Sequence, residues 1–461
     1  MAMQDIRAEQ SASAEYAAAR PALGEGDSSH RVWSIWPKAP QAVEETGLSQ
    51  VFLEDLIIKI IHYASTPTLE QIARRVALPH QLTTRLLDRL KHEHYCEIIG
   101  ASGFGEMSYQ YRLTARGEER ADDALARSRY AGAAPVALDQ YIAVVPKQSL
   151  RSTPNAREKI EAALSTLVLP QDVREGLARA LHSGRTTLIF GPSGNGKTTL
   201  LEAYGASFDD SVLVPAAIYV HGQILRVFDP ALHQVLPEPL EAPAEDANGL
   251  LRRRGPEVDR RWLRCRRPVV IVGGELTAEA LELAWDPVSR FYQAPPHLRG
   301  QDGILLIDDF GRQKLRPEEM LNRWILPMER GYDTFTLHTG ESFTIPFDIT
   351  LLFSTNLSPA DLVDEAFLRR IPYKVHIPNP RPSEFRLILE RVCEEYGVTY
   401  SDESADYLIH KLYDQMNRTP RGCYPRDIVQ IIVDSAKYEN TEPRLDRELI
   451  DRALKVYFLT T

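Results

Sequence analysis

One stretch of ten residues constrains this chain more than any other: residues 191–200 read GPSGNGKTTL. An apolar, β-branched run, TTLIF (186–190), feeds into it, and a helical pattern, TLLEAYG, follows from Thr199. Strand, loop and helix are the setting in which the pattern G-x4-G-K-[ST] cradles phosphate. Glycines let successive backbone N–H groups turn inward onto phosphate oxygens, and the helix start adds the positive end of its dipole. Lys197 is placed to reach the β- and γ-phosphates as a point charge. Thr198 is placed to put its hydroxyl on Mg²⁺, an ion that keeps most of its waters and takes few protein ligands. Gly191, Ser193, Gly194, Asn195, Gly196, Lys197, Thr198 and Thr199 are therefore the candidate nucleotide contacts, with ATP and Mg²⁺ as the expected cofactors. The alternative is a glycine-rich turn that matches by chance, against which both flanks argue.

A phosphate cradle predicts a second strand that ends in a carboxylate for the metal. GILLIDDFGR (303–312) supplies one. Ile304 to Ile307 form an apolar run suited to a buried parallel strand, and Asp308 falls at its C-terminal end, where open α/β sheets bind ligands. Asp308 is the candidate metal carboxylate, and Asp309 the candidate catalytic acid. A core strand ending in two solvated acids is the plainer alternative.

Three later stretches follow in order: FTIPFDITLLFSTNLSP (343–359), VDEAFLRRIPYKVHIP (363–378) and RGCYPRDIVQII (421–432). With the loop and the acidic strand they resemble the AAA+ ATPases over about 160–440. The resemblance implies an α/β P-loop NTPase core with a C-terminal α-helical lid. It implies that Asn356 is the polar sensor between the two strand ends, orienting water. Arg369 and Arg370 match the arginine-finger pair, and Arg426 matches the second sensor in the lid. Asp309 stands where many relatives carry Glu, one methylene longer, so slow hydrolysis or help from an acid such as Glu329 is open. Permanently charged guanidinium suits the equatorial oxygens of a phosphoryl group in transfer. A finger given by a neighbouring subunit implies a ring of identical chains, expected as a hexamer. The plainer readings are a surface pair salt-bridged to Asp364 or Glu365 for Arg369–Arg370, and a cap on its own helix for Arg426.

YDTFTLHTGESFTIP (332–346) alternates about a Thr-Gly turn and predicts a hairpin. With LPMERGY before it, it is similar to the hairpin preceding the first sensor in MoxR-like proteins. Phe291 and Tyr292, in WDPVSRFYQAPPHLRGQDG (285–303), then stand as pore-loop aromatics or as packing under a proline-rich loop. Residues 233–268 depart from the family and carry eight arginines between Arg252 and Arg267. They suit a solvated face, a nucleic-acid or acidic-partner contact, or a subunit interface. The arrangement is similar to bacterial AAA+ proteins described as chaperone-like and linked to Flp-type pilus assembly.

At 461 residues the chain is long enough for two to four domains of about 100–200 residues each. The expected division is a disordered tail at 1–45, a winged-helix domain at 46–130, a linker at 131–158, the α/β nucleotide-binding domain at 159–380 and the lid at 381–461. In the tail, VWSIWPKAP (32–40) reads as packing against a neighbour or as a docking peptide. Between Thr66 and Arg127, nine Arg/Lys balance nine Asp/Glu, where a DNA reader shows a basic excess. DNA contact through Arg85, Arg89 and Lys91 and protein docking both remain open there. The net charge of −10 argues against a protein that coats nucleic acid. The four scattered cysteines form no CxxC pair, no apolar run spans a bilayer and no signal peptide is visible, so a cytoplasmic protein without membrane insertion is expected. The function expected is Mg²⁺- and ATP-dependent remodelling of a protein partner. The alternatives are a DNA-associated ATPase or regulator, and a nucleotide-gated scaffold with slow turnover.

Overall fold

The computed structural model describes residues 34–150, 156–165, 167–208, 210–237, 244–245, 251–252, 258–362 and 365–458. Most of the expected tail lies outside these residues. Its end does not: Trp36 is buried, and its indole N–H donates to the Asp259 carbonyl at 3.1 Å. Packing therefore accounts for Trp36. Among the described residues no helix is long and apolar enough to cross a membrane.

The N-terminal module runs α1 (Gln50–Ala64), α2 (Leu69–Val76), α3 (His80–His92), β1 (Cys96–Ala101), β2 (Tyr109–Leu113) and α4 (Ala115–Arg127). Local chemistry sets its helix starts. Ser49 and Thr114 cap α1 and α4, and Thr68 with Gln71 closes a capping box on α2. The stripe Leu82, Leu86, Leu87 and Leu90 is buried against Leu56, Ile57 and Ile72. At about 1.5–3 kcal/mol for each buried aliphatic side chain, this stripe fixes α3 firmly. β1 and β2 form an antiparallel hairpin with Phe104 fully exposed in its connection.

The stretch expected as a linker is in part built into the core. Within 131–158, β3 (Val136–Ala137) pairs in parallel with β6 (Ala217–Val220), and α5 (Leu138–Val144) buries Tyr141 and Val144. Proline and alanine gave this segment a loop-like composition, but Val136, Tyr141 and Val144 all face inward.

The central sheet has the order β11 (Val269–Val272), β14 (Ile304–Ile307), β17 (Thr350–Thr355), β4 (Thr187–Phe190), β18 (Tyr373–His376), all parallel. Alternate residues serve opposite faces, as the period of two requires. Leu305, Ile307, Leu351 and Phe353 meet Met320, Leu321 and Trp324 of α10 (Pro317–Arg330). Ile304, Leu306 and Leu352 meet α6 (Ala156–Ser165), α7 (Gln171–His182) and α8 (Lys197–Ala206). Helices on both faces explain why these strands read as continuous apolar runs. The short helices α11 (Pro359–Leu362) and α12 (Glu365–Leu368) link β17 to β18.

A second, mixed sheet has the order β12 (Ala284–Asp286), β13 (Phe291–Gln293), β7 (Gln223–Arg226), β6, β3. Three antiparallel pairs form sheets of their own: β5 (Ser211–Pro215) with β10 (Trp262–Arg266), β8 (Ala244–Glu245) with β9 (Leu251–Arg252), and the hairpin β15 (Tyr332–Thr336) with β16 (Ser342–Pro346). The single-turn α9 (Pro296–Arg299) leads into β14. The N-terminal module shares a core with this sheet: Ala217 and Ile224 join its apolar cluster, and the Phe52 and Tyr219 rings lie 4.7 Å apart. Four helices close the described chain around their own apolar cluster: α13 (Pro382–Tyr396), α14 (Asp402–His410), α15 (Tyr424–Glu439) and α16 (Arg447–Phe458).

Candidate functional site

The loop between β4 and α8 is shaped by its glycines. At Gly191 (φ 148°) a Cβ would collide with the Ile377 carbonyl, and at Gly194 (φ 84°) it would lie 2.6 Å from the Cys423 sulfur. Any other residue at either position would push the loop off its neighbours. Lys197 is buried, and its ammonium donates to the carbonyls of Gly191 at 2.8 Å and Pro192 at 3.0 Å. Burial lowers its pKa, while Asp309 and Asp308 oppose the shift. The ammonium is thus tethered inside the loop at the point where phosphates would enter.

Thr198 lies in the first turn of α8, and its hydroxyl donates to both carboxylate oxygens of Asp308, at 3.2 and 3.0 Å. The sheet order brings the two together across 110 residues of sequence. The turn after β14 holds Asp308 in place: Gln313 Nε2 donates to its carbonyl at 2.6 Å, and the Asp309 N–H donates to its Oδ1 at 3.0 Å. Phe310 N–H donates to the Ser354 carbonyl and the Thr355 hydroxyl donates to the Phe310 carbonyl, both at 2.7 Å. These bonds tie the turn to the end of β17 and leave Asp309 exposed with φ at 49°, a left-handed backbone.

Asn356 follows β17, the strand that lies between β4 and β14. Its Oδ1 is buried and has no hydrogen-bond partner among the described residues. An unsatisfied buried amide oxygen costs about 1–3 kcal/mol, so this atom fits a site that holds a polar ligand. A hydroxyl and a carboxylate in mutual contact are hard oxygen donors of the kind Mg²⁺ takes. The residues present therefore fit both expected cofactors.

Other candidates lie elsewhere. Ser193 and Thr199 are exposed on the loop and the helix. Arg369 is exposed just after α12, and Arg370 pairs with Glu329 of α10 at 3.1 Å; Asp364 lies outside the described residues. Glu329 is thus held by Arg370 and not by the acidic strand end. Arg426 does not face the loop: it is 55% exposed and makes a two-pronged pair with Glu395 of α13, at 3.0 and 2.8 Å. The arginine of the C-terminal helical unit beside the loop is Arg421, whose Cδ lies 3.7 Å from where a Gly194 Cβ would stand. In a sequence with arginines at both 421 and 426, only the turn into α15 decides which one lies beside the loop. Gln313 and Asn379, which brace Asp308 and Asn195, carry no sequence signal that would single them out.

Two readings left open in the sequence can be taken further. Tyr292 is 2% exposed, with its hydroxyl accepting from the His338 N–H at 2.7 Å, and the half-buried Phe291 meets Tyr130 edge-on, so both rings are engaged in packing. The arginine run is not a solvated face throughout. Arg261 and Arg267 are buried, paired with Asp259 and Asp210, while 253–257 lie outside the described residues.

Fold and site together define an α/β core, with a glycine-rich loop between β4 and α8 at the ends of its parallel strands, carrying a helical C-terminal unit. That unit, at residues 381–456, matches a family model described as "Domain of unknown function (DUF8689)". ABC transporter G family member 30 of Arabidopsis thaliana is 41% identical over 58 residues, which are 13% of this chain and 4% of that protein. NtrX from Brucella abortus in complex with ATP is 16% identical at a TM-score of 0.38, over 63% of this chain and 56% of its own. The RuvB Holliday junction branch migration motor of Thermotoga maritima is 13% identical at a TM-score of 0.34, over 70% and 72%.

Proposed function

We propose that this chain is a Mg²⁺-dependent ATPase of the AAA+ kind that works as a ring, a hexamer, and remodels a protein partner. One observation carries the reading. The Thr198 hydroxyl and the Asp308 carboxylate meet beside the buried Lys197, with the strand bearing Asn356 between their two strands. When bound, the metal would supply positive charge to offset the charge that develops on the phosphates. Thr198 and Asp308 would hold it, and Lys197 would leave the Gly191 and Pro192 carbonyls for the phosphates. The free Asn356 oxygen and the exposed Asp309 carboxylate are the groups available to position and deprotonate water. Arg369, exposed and without an ion pair among the described residues, suits a phosphate on a neighbouring subunit.

The N-terminal module, read as a winged helix, supports a protein partner better than DNA. Its cations are largely engaged within the chain: Arg89 with Glu54 and Glu93, Lys91 with Asp88, Arg112 with Glu97, and Arg120 with Glu54 and Asp55. Its hairpin instead exposes Ile98, Ile99, Phe104 and Tyr109.

Lys197→Ala tests the reading. Loss of charge-assisted bonds worth about 1.5–3 kcal/mol should weaken ATP binding by roughly 10- to 100-fold and abolish phosphate release. Normal turnover in that variant would end the proposal. A DNA shift with a steep salt slope would move the partner to nucleic acid.

A further inference from the structure

We infer that Asn195 is a latch between the phosphate loop and the lid, so that nucleotide leaves this site through release of its side chain. The inference rests on the reading above that 191–198 holds nucleotide. A carboxamide offers two donors and an acceptor oxygen in a fixed plane. Asn195 turns donors and acceptor alike toward the lid and its hinge. Its Nδ2 donates to the Pro378 carbonyl at 3.1 Å and to Asn379 Oδ1 at 2.9 Å, and its Oδ1 accepts from the Gly422 N–H at 2.9 Å. Pro378 and Asn379 lie in the connection from β18 to α13, and Gly422 lies in the turn that starts α15. One side chain therefore ties the loop to both ends of the path along which the lid would swing.

The surrounding shape agrees. Gly194 lies against Cys423, and a Cβ on Gly422 would come within 3.3 Å of the Gly194 carbonyl and 3.4 Å of Asn195 Cα. Loop and lid turn touch backbone to backbone, a contact that larger residues at 194 or 422 would prop open. Among the described residues, no other polar side chain of the loop bonds the lid. Lys197 bonds carbonyls of the loop itself, Thr198 bonds Asp308, and Ser193 is exposed. Asn195 is a positioning residue. It leaves the phosphates to the backbone amides beside it and fixes where those amides point for as long as the lid is down. Opening the lid breaks its three bonds and frees the loop; closing the lid restores the cradle.

Cys423 reports the contact directly. Cys96, Cys265 and Cys393 are buried, whereas Cys423 is half-buried at the loop–lid seam. The test measures alkylation of Cys423 in the full chain by mass spectrometry, with release of a fluorescent ATP analogue followed in parallel. Asn379→Ala removes one acceptor without altering the phosphate loop and should speed Cys423 labelling about five- to tenfold, the effect of one net hydrogen bond on a local opening. Asn379→Asp keeps the acceptor and should stay within about twofold of the parent. Asn195→Ala removes all three bonds and should label fastest, which covers the case of an Asn379 variant that folds poorly. Analogue release should quicken in the same order. Equal labelling rates in all four proteins overturn the latch even if the analogue binds. Failure of the parent to bind the analogue overturns the nucleotide reading, and the labelling order then still decides whether Asn195 holds the lid.

Discussion

Arg261 joins three parts of the chain that are far apart in sequence, and replacing it with methionine should loosen them together. Its guanidinium is 2% exposed and grips Asp259, itself 1% exposed, with Nε–Oδ1 at 3.0 Å and Nη2–Oδ2 at 2.8 Å. Nη1 donates to the carbonyls of Thr46 at 2.9 Å and Pro135 at 3.2 Å, and Nη2 donates to Gln140 Oε1 at 3.0 Å. Arg261→Met leaves the Asp259 carboxylate buried without its partner, a loss of about 3–5 kcal/mol. For a cooperative unit of about 150–250 residues, at about 2–4 °C per kcal/mol, the melting transition should fall by roughly 6–20 °C. Differential scanning calorimetry reads that shift, and limited proteolysis should find the 131–135 segment newly open. The double variant Asp259→Leu/Arg261→Met removes both charges and should recover most of the loss, because the cost lies in the stranded carboxylate. A single variant that melts within about 2 °C of the parent, or a double variant no better than the single, would refute this account of the buried pair.

Lys59 gives a pH-dependent case. Its ammonium donates to the Ser128 carbonyl at 3.1 Å, and burial pulls its pKa from 10.5 down to about 8, with Asp55 opposing the shift and Arg127 adding to it. The folded pKa lies below the unfolded one, so charged Lys59 costs stability below about pH 8, and the cost fades as pH rises toward 10.5. About 2.5 pH units at 1.36 kcal/mol each gives about 3 kcal/mol, less about 1 for the carbonyl left unbonded, so Lys59→Met should stabilise by about 2 kcal/mol at pH 7. Urea midpoints should show that gain shrinking by pH 10; a gain that grew with pH would contradict the assignment. For Asn356→Ala, removal of an unpaired buried oxygen should leave the melting temperature unchanged or slightly higher, while phosphate release falls at least about tenfold. Equal losses of stability and turnover would make Asn356 a structural residue.

The loop and the acidic strand end were readable because each is written in consecutive residues, strand then loop then helix, or strand then aspartate. Their meeting was readable too, since a parallel sheet gathers strand ends on one edge. What escaped the sequence depends on partners remote in the chain. Arg426 looked like the lid sensor, yet Glu395, a helix away, draws it aside and leaves Arg421 at the loop. The arginine run offered a solvated face, a partner contact or an interface, but not a core, and it is Asp210 and Asp259 that make Arg267 and Arg261 tolerable inside. Phe291 and Tyr292 sat in a proline-rich stretch that composition alone could not place, and the burial of Tyr292 follows from β13 joining β7. The middle of the expected linker was disguised by alanine and proline around Val136, Tyr141 and Val144.

The core shared by the N-terminal module and the second sheet bears on how such a chain can transmit movement. Phe52 against Tyr219, and Tyr130 against Phe291, leave no slack at that joint. A partner gripped at the hairpin tip would ride with the sheet like a tool clamped in a chuck, not like a weight on a string. Exchanging the module for that of another protein would demand recutting Tyr219, Ile224 and Phe291 as well, so the two are expected to be inherited as one piece.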